Sequence, residues 1–347
     1  MQVTRSEDKA WIDSIKGFAP NKYVSSVHGA QARILQSLGE LLTYEDLICY
    51  SGFAFRINIH QDMCPSAGHP CCGYHCVENS TLAIPWHMNV FDSFPWNSPR
   101  DNQEEFETET YMAIRESIDR GIPVHYGSEE DGLIVGYADE GKRWWCVHPY
   151  HKRGKEAFWH DEVEGFAGGK WPWGIVVWTK RKSKEELSSE KILLQNTLNQ
   201  IVDMWTRKEK LDTAYYSGEM AYEYWIDWLQ RVYQDEIKDP RPGMQGNGWC
   251  FDVLVHSRRI AGQWLKEKTD GLKGEVADQL MIAARHFSRV SDICIKNLKC
   301  TWDLALPPEY APKWSKEMQK DQINRLKAAY EHDKAAVKAI ENAINEN

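Results

Sequence analysis

The period of the apolar positions changes once along the chain. Up to about Lys180, short helical and strand-like stretches alternate between Gly and Pro punctuation, and beyond it nearly every segment repeats apolar residues at helical spacing. In "SVHGAQARILQSLG" the apolar residues Ala30, Ile34, Leu35 and Leu38 share a helical face, and Gly39 is suited to end the helix. "LTYEDLICYSG" predicts a second short helix with Thr43 as N-cap. Three β-like stretches follow: "GIPVHYG", "GLIVGYADEGKRWWCVHP" with a turn at "ADEGK", and "WGIVVWT". Helices followed by an antiparallel sheet predict an α+β domain over residues 15–180.

The second half opens with Ser183 and Glu186 in capping-box spacing, then Leu194, Leu198, Ile201, Val202 and Trp205 on one face. Helices are expected in "GEMAYEYWIDWLQRVYQDEI", "WCFDVLVHSRRIAGQWLKEKT", "EVADQLMIAARHFSRVSDICIKNLKC" and the terminal "KEMQKDQINRLKAAYEHDKAAVKAIENAI". The stretches "KDPRPGMQGNG" and "LALPPEYAP" are expected as closing loops. In the last segment Ile323, Leu326, Tyr330, Val337, Ile340 and Ile344 keep helical spacing, while Asp333 interrupts the stripe. Several amphipathic helices joined by short loops predict an all-α helical bundle over 181–347.

Composition narrows the setting. The opening "MQVTRSEDKAWIDS" is polar, and no apolar run approaches the ~20 residues that cross a bilayer, so a cytoplasmic protein with no membrane partner is expected. Nine cysteines are an odd number, which favours reduced thiols over a disulfide framework. A net charge of −9 has the wrong sign for tracking phosphates, so nucleic acid is not an expected partner. Sixteen tryptophans, grouped in "RWWC", "KWPWGIVVW" and "YEYWIDWL", imply heavy aromatic packing.

The densest chemistry is "CPSAGHPCCGYHC", residues 64–76. His60 with Cys64 and Cys72 with Cys76 form two pairs that each leave three residues between, so these four are the candidate zinc ligands. Against zinc, His69, Cys71 and His75 are surplus and no "CxxC" knuckle is present. The plain alternative is a loop of reduced, buried thiols. A nucleophilic cysteine is a third reading and requires a base within hydrogen-bond reach.

The helix "SVHGAQARILQSLG", the following "LTYEDLICYSGFAFR", the phrase "SIDRGIPVHY" and the pair "GLIVGYADEGKRWWCVHP" resemble the papain-like cysteine peptidases that process bacteriocin leaders. They are more similar still to the butirosin biosynthesis protein H N-terminal family, whose members transfer acyl groups. The resemblance covers about residues 20–180 and implies a papain-like fold. It also implies a cysteine opening the helix, a histidine shortly before "VVGYD" and an aspartate in "DP". Here the nucleophile position falls on Ser26, with Ser25 beside it; the histidine position falls on Glu130, or on Asp131 with a slip of one; and "DP" is replaced by "HP", with His148. All three family residues are substituted.

Three readings follow. The cleft persists as a binding surface without catalysis; or Ser26 is a nucleophile with His148 as base and Glu130 as orienting carboxylate; or a group from residues 64–76 supplies the reactivity. Single residues add binding candidates. His28 either donates to a ligand or caps the turn; Arg56 either grips a ligand carboxylate or pairs internally; Cys64 and Asp131 border the same expected cleft. His125 alternates with Val124 and Tyr126 on a strand and reads as structural, and of Trp144 and Trp145 only one can face the core, leaving Trp145 as a ligand wall. The expected function is binding of an amide-containing small molecule or peptide, with no resident cofactor. The alternatives are an amide-bond hydrolase or acyltransferase using Ser26 or a cysteine of 64–76, and a zinc-stabilised interaction module.

Overall fold

The computed structural model describes residues 2–18, 23–92, 103–127, 130–141, 143–150, 158–161, 172 and 174–346. The chain begins with β1 (Val3–Arg5), β2 (Lys9–Ile12), α1 (Ser26–Ser37), α2 (Tyr44–Tyr50), β3 (Asn58–His60), α3 (Val77–Ala83), β4 (Trp86–Asp92) and α4 (Gln103–Asp119). It continues through β5 (Val124–Gly127), β6 (Gly132–Ala138), β7 (Arg143–Val147), β8 (Phe158–Asp161) and β9 (Gly174–Arg181). Then come α5 (Glu190–Thr206), β10 (Tyr215–Ser217), α6 (Gly218–Tyr233), α7 (Arg241–Thr269), α8 (Glu275–Ile295) and α9 (Lys316–Asn345). These form two compact units, Met1–Leu47 with Ile84–Leu187 and Ile48–Ala83 with Ser188–Asn347. The fold is α+β with a helical C-terminal region, but its division differs from the expected 15–180 and 181–347, because residues 48–83 belong with the helices.

The first unit holds an antiparallel, curled eight-stranded sheet. Its hub is β6, which pairs along one edge with β7 and along the other with β5 at residues 132–134 and β2 at residues 136–138. A register shift between Ile134 and Gly136 marks the bend where one neighbour gives way to the next. From β5 the sheet runs on through β9 to β4, and beyond β7 lies β8. The strands β1, β2 and β4 carried no sequence signal, since "VTRSEDKAWI" alternates weakly and reads as a polar lead. Packed on β5 and β6 is α1, whose Ser26 to Ala32 are all buried. It ends as expected, with Gly39 in the left-handed region at φ 77°. Thr43 also caps as expected, its Oγ1 accepting from the Asp46 amide while the Asp46 carboxylate accepts from the Thr43 amide.

In the second unit α8 packs between α7 and α9, and α5 and α6 lie against α9. Two boundaries differ from expectation. The capping box at Ser183 and Glu186 is present but closes a single 3-10 turn, and α5 starts later with Ser189 as N-cap. The stretch "RPGMQGNG" is the first part of α7 rather than a loop. Its glycines permit contact: a Cβ on Gly246 would lie 1.7 Å from the Met63 carbonyl oxygen, and one on Gly243 would lie 2.6 Å from the Trp228 ring. They cost helix propensity but let the residue 63–64 backbone reach α7.

Asp333, the break in the apolar stripe of α9, is fully buried opposite the equally buried Arg258 of α7, at 2.7 Å. Its Oδ2 also accepts from the Tyr222 hydroxyl at 2.7 Å. Arg258 Nη1 donates further to the carbonyls of Ala54 and Arg56, tying the 53–56 turn to the bundle. Among the described residues no helix is long and apolar enough to cross a membrane. Asp333→Ala strands a buried guanidinium and is expected to cost about 3–5 kcal/mol. In the double variant Arg258→Leu with Asp333→Leu, the Ala54 and Arg56 carbonyls still lack a donor, so urea denaturation should show only partial recovery.

Candidate functional site

Each unit gathers its own cluster of chemistry-bearing side chains. In the α+β unit one cluster forms where α1 begins and β6 begins. Ser25, extended at φ −140°, is the N-cap of α1, and its Oγ accepts from the His28 amide. The Ser25 hydroxyl also hydrogen-bonds His28 Nδ1 at 2.7 Å. His28 is fully buried and braces the helix start.

The β5–β6 hairpin brings His125 to Asp131, with Nε2 2.5 Å from Oδ2 and both residues buried. Gly132 is required by this turn, since a Cβ there would lie 2.4 Å from the Tyr126 hydroxyl. The Asp131 amide donates to Ser26 Oγ at 3.0 Å, the one hydrogen bond at that hydroxyl among the described residues. His148, just after β7, donates from Nε2 to the Glu130 carbonyl at 3.2 Å and accepts the Tyr150 amide at Nδ1. Its ring stacks on Tyr126 with centroids 6.3 Å apart, and the Tyr150 hydroxyl reaches Glu130 Oε1 at 2.9 Å.

Ser26, Glu130, Asp131 and His148 are thus linked, but not as a triad. The Ser26 hydroxyl faces a backbone amide, and His148 faces a carbonyl rather than the serine. Trp144 is the buried member of its pair and Trp145 is half-buried.

The cluster in the helical unit is the cysteine-rich loop wrapped around Arg56. Among the described residues Arg56 sits in no ion pair. It is buried, and its guanidinium donates to the carbonyls of Ala67, His69, Cys72 and Tyr74 at 2.9–3.0 Å. Asn58 Nδ2 adds bonds to the Ala67 and Cys72 carbonyls. A loop with little regular secondary structure needs donors for its carbonyls, and here one planar guanidinium supplies four while backbone amides answer those of Cys64, Ser66, His69 and Pro70.

Pairing of β3 with β10 sets Tyr215 opposite His60, their rings 4.8 Å apart. The Tyr215 hydroxyl is 2.9 Å from Ser66 Oγ, which donates to Cys64 Sγ at 3.1 Å. His69 Nδ1 accepts the Cys71 amide. Partial burial works against a Cys72 thiolate, but the neighbouring His69, Tyr215 and Arg56 outweigh it and hold the thiol below its ordinary range. The deeply buried thiols go the other way: burial pushes Cys76 up to about 11 and Cys250 and Cys294 up to about 12.

His60, Cys64, Cys72 and Cys76 do not assemble as zinc ligands. His60 Nδ1 accepts the Asp62 amide, the buried Cys76 thiol points at the Tyr74 carbonyl, and among the described residues no three His, Cys, Asp or Glu side chains are grouped to hold a metal ion. Sequence reasoning missed Asn58, Ser66 and Tyr215 altogether. Asn58 and Tyr215 acquire meaning through the β3–β10 pairing, which joins distant segments and leaves no local signal. No protein-family model matches the chain, and no curated protein matches it.

Arg56→Lys replaces a four-carbonyl donor with one ammonium; the Ala67 and Cys72 carbonyls keep Asn58 and the His69 carbonyl keeps the Cys72 amide, while the Tyr74 carbonyl loses its guanidinium donor at about 1–3 kcal/mol. The expected outcome is loss of stability in urea and a native-state Cys76 thiol that reacts with an aromatic disulfide reagent, which the parent protein shields.

Proposed function

We propose that the α+β unit is a papain-like domain that binds an amide-containing small molecule or peptide without Cys-His catalysis. The observation that carries this reading is at Ser26. Its hydroxyl, at the N-terminus of α1 where the resemblance puts the nucleophile, accepts the Asp131 amide and meets no imidazole among the described residues. A serine without an adjacent base is a poor nucleophile near neutral pH. Among the described residues His28 bonds Ser25, His125 bonds Asp131, and His148 bonds the Glu130 carbonyl and the Tyr150 amide.

Side chains at this end of the sheet suit recognition of an amide. The Glu130 carboxylate, which accepts from the Tyr150 hydroxyl, is of the type that accepts amide N–H donors, and the Tyr150 side chain, 60% exposed, offers a ring. Half-buried Trp145 adds an apolar surface. Support for the papain-like assignment comes from the order of parts: a buried helix opened by Ser26, then the β5–β6–β7 meander carrying Asp131 and His148 at its turns.

The amide-bond enzyme reading is less well supported at either nucleophile. Ser26 lacks a base. At the cysteine loop the amides that could hold an oxyanion are already used, Cys71 on His69 Nδ1, Cys72 on the His69 carbonyl and Gly73 on Asp212 Oδ2.

The test pairs labelling with binding. A fluorophosphonate should leave Ser26 unlabelled under conditions that label a serine hydrolase control. N-acetylated dipeptide amides should raise the melting temperature, corresponding to about 2.7 kcal/mol at 100 times Kd. Glu130→Ala should lose that stabilisation. Labelling of Ser26, or no stabilisation by any member of the panel, would sink the proposal.

A further inference from the structure

The helical unit carries a second chemistry that does not depend on the reading of the α+β unit. His286 of α8 and His332 of α9 meet Nδ1 to Nδ1 at 2.9 Å, with ring centroids 5.2 Å apart and planes inclined by 41°. The 46 positions between them leave no ligand spacing in the sequence. Small residues suit this close approach of the two helices: Ala283, one turn before His286, and Ala329 and Ala336, one turn on either side of His332, are all buried. The backbone behind His332 is held by its neighbour, since Asp333 is fully buried and paired with Arg258 of α7. Both histidines are half-buried rather than sealed, so solvent reaches the pair.

With both rings neutral the contact is one hydrogen bond, in which one Nδ1 carries a proton and the other offers a lone pair. Moving that proton to Nε2 of its own ring leaves two lone pairs facing each other. Metal–imidazole bonds of about 2.0–2.1 Å to both nitrogens then enclose an angle of about 90° at the metal. A tetrahedral ion would set the nitrogens about 3.3 Å apart. The separation present is that of neighbouring positions on an octahedral or square-planar ion.

We propose that His286 and His332 form a two-imidazole site for a divalent transition-metal ion of octahedral or square-planar preference, nickel or copper by class, which ties α8 to α9. Each ring binds through Nδ1, the shared proton moves to Nε2, and water fills the remaining positions. Imidazole nitrogen suits these ions. Two protein ligands make an open site with an exchangeable ion, in keeping with the absence of a three-residue ligand group among the described residues. An ion bound this way favours the folded bundle, because the unfolded chain does not hold the two rings together.

Nickel is the probe, because copper(II) also oxidises thiols. Full-length reduced protein is titrated with nickel chloride by calorimetry at about pH 8, where an ordinary imidazole is mostly neutral. His286→Gln and His332→Gln should each weaken binding at least about tenfold, and the double variant should be no weaker than either, because one loss already removes the chelate. His87→Gln, at an exposed histidine of β4, should leave the affinity unchanged. Nickel should raise the melting temperature of the parent and of His87→Gln but not that of the two single variants. Equal affinity in the parent and both single variants overturns the proposal, as does a loss confined to one of them. If a variant fails to fold by circular dichroism, nickel-soaked crystals of the parent decide. An anomalous difference peak bonded to both Nδ1 atoms supports the site, and its absence there overturns it.

Discussion

A fully buried arginine must have every donor answered, and Arg258 sets that demand at the centre of the helical unit. Its carboxylate is Asp333, its remaining donors go to the Ala54 and Arg56 carbonyls, and Tyr222 completes the hydrogen bonding of Asp333. Burying such a pair contributes little net stability, because desolvation offsets most of the attraction. What it does supply is position: α7, α9, α6 and the 53–56 turn can satisfy these groups together in one arrangement. An apolar residue at position 333 would complete the stripe of α9 and leave the guanidinium without its counter-charge.

The constraint passes along the backbone. Once Arg258 holds the carbonyl of Arg56, the Arg56 side chain has a fixed origin, and its guanidinium becomes the post around which residues 67–74 are wound. The loop's carbonyls turn inward to that charge. Its thiols sort by depth as a result, Cys76 sealed inside and Cys64, Cys71 and Cys72 partly open. A zinc ion would organise such a loop by drawing the thiols together. Arg56 organises it by drawing the carbonyls together, which is why dense Cys and His spacing coexists here with no grouped ligand set among the described residues.

Periodicity made most of the helices and the β5, β6, β7 and β9 strands legible, since their buried faces are continuous. It failed where a local rule yielded to a contact: the glycines of α7 read as a loop until Met63 and Trp228 are seen to need the space. Asp333 was visible as an anomaly, yet its partner sits on another helix and no spacing could name it. Arg56 likewise stood out in an apolar run. Its partners are backbone carbonyls, which have no identity in a sequence, so side-chain reasoning offered only a carboxylate. At the other cluster, of the positions transferred from the resemblance Asp131 reaches Ser26, through its backbone amide, and which atom faces the hydroxyl is a matter of backbone geometry.

That last distinction separates the two clusters chemically. Around α1 each imidazole spends its hydrogen bonds on groups that fix structure: an N-cap hydroxyl, a hairpin carboxylate, a carbonyl. The serine beside them receives an amide N–H, but among the described residues its own proton is hydrogen-bonded to no base that could take it. Around Arg56 the guanidinium answers four loop carbonyls, and the Cys71, Cys72 and Gly73 amides are bonded to the His69 ring, the His69 carbonyl and Asp212. The loop is thereby fixed from its backbone outward, and depth rather than a grouped ligand set decides which of its thiols meet solvent.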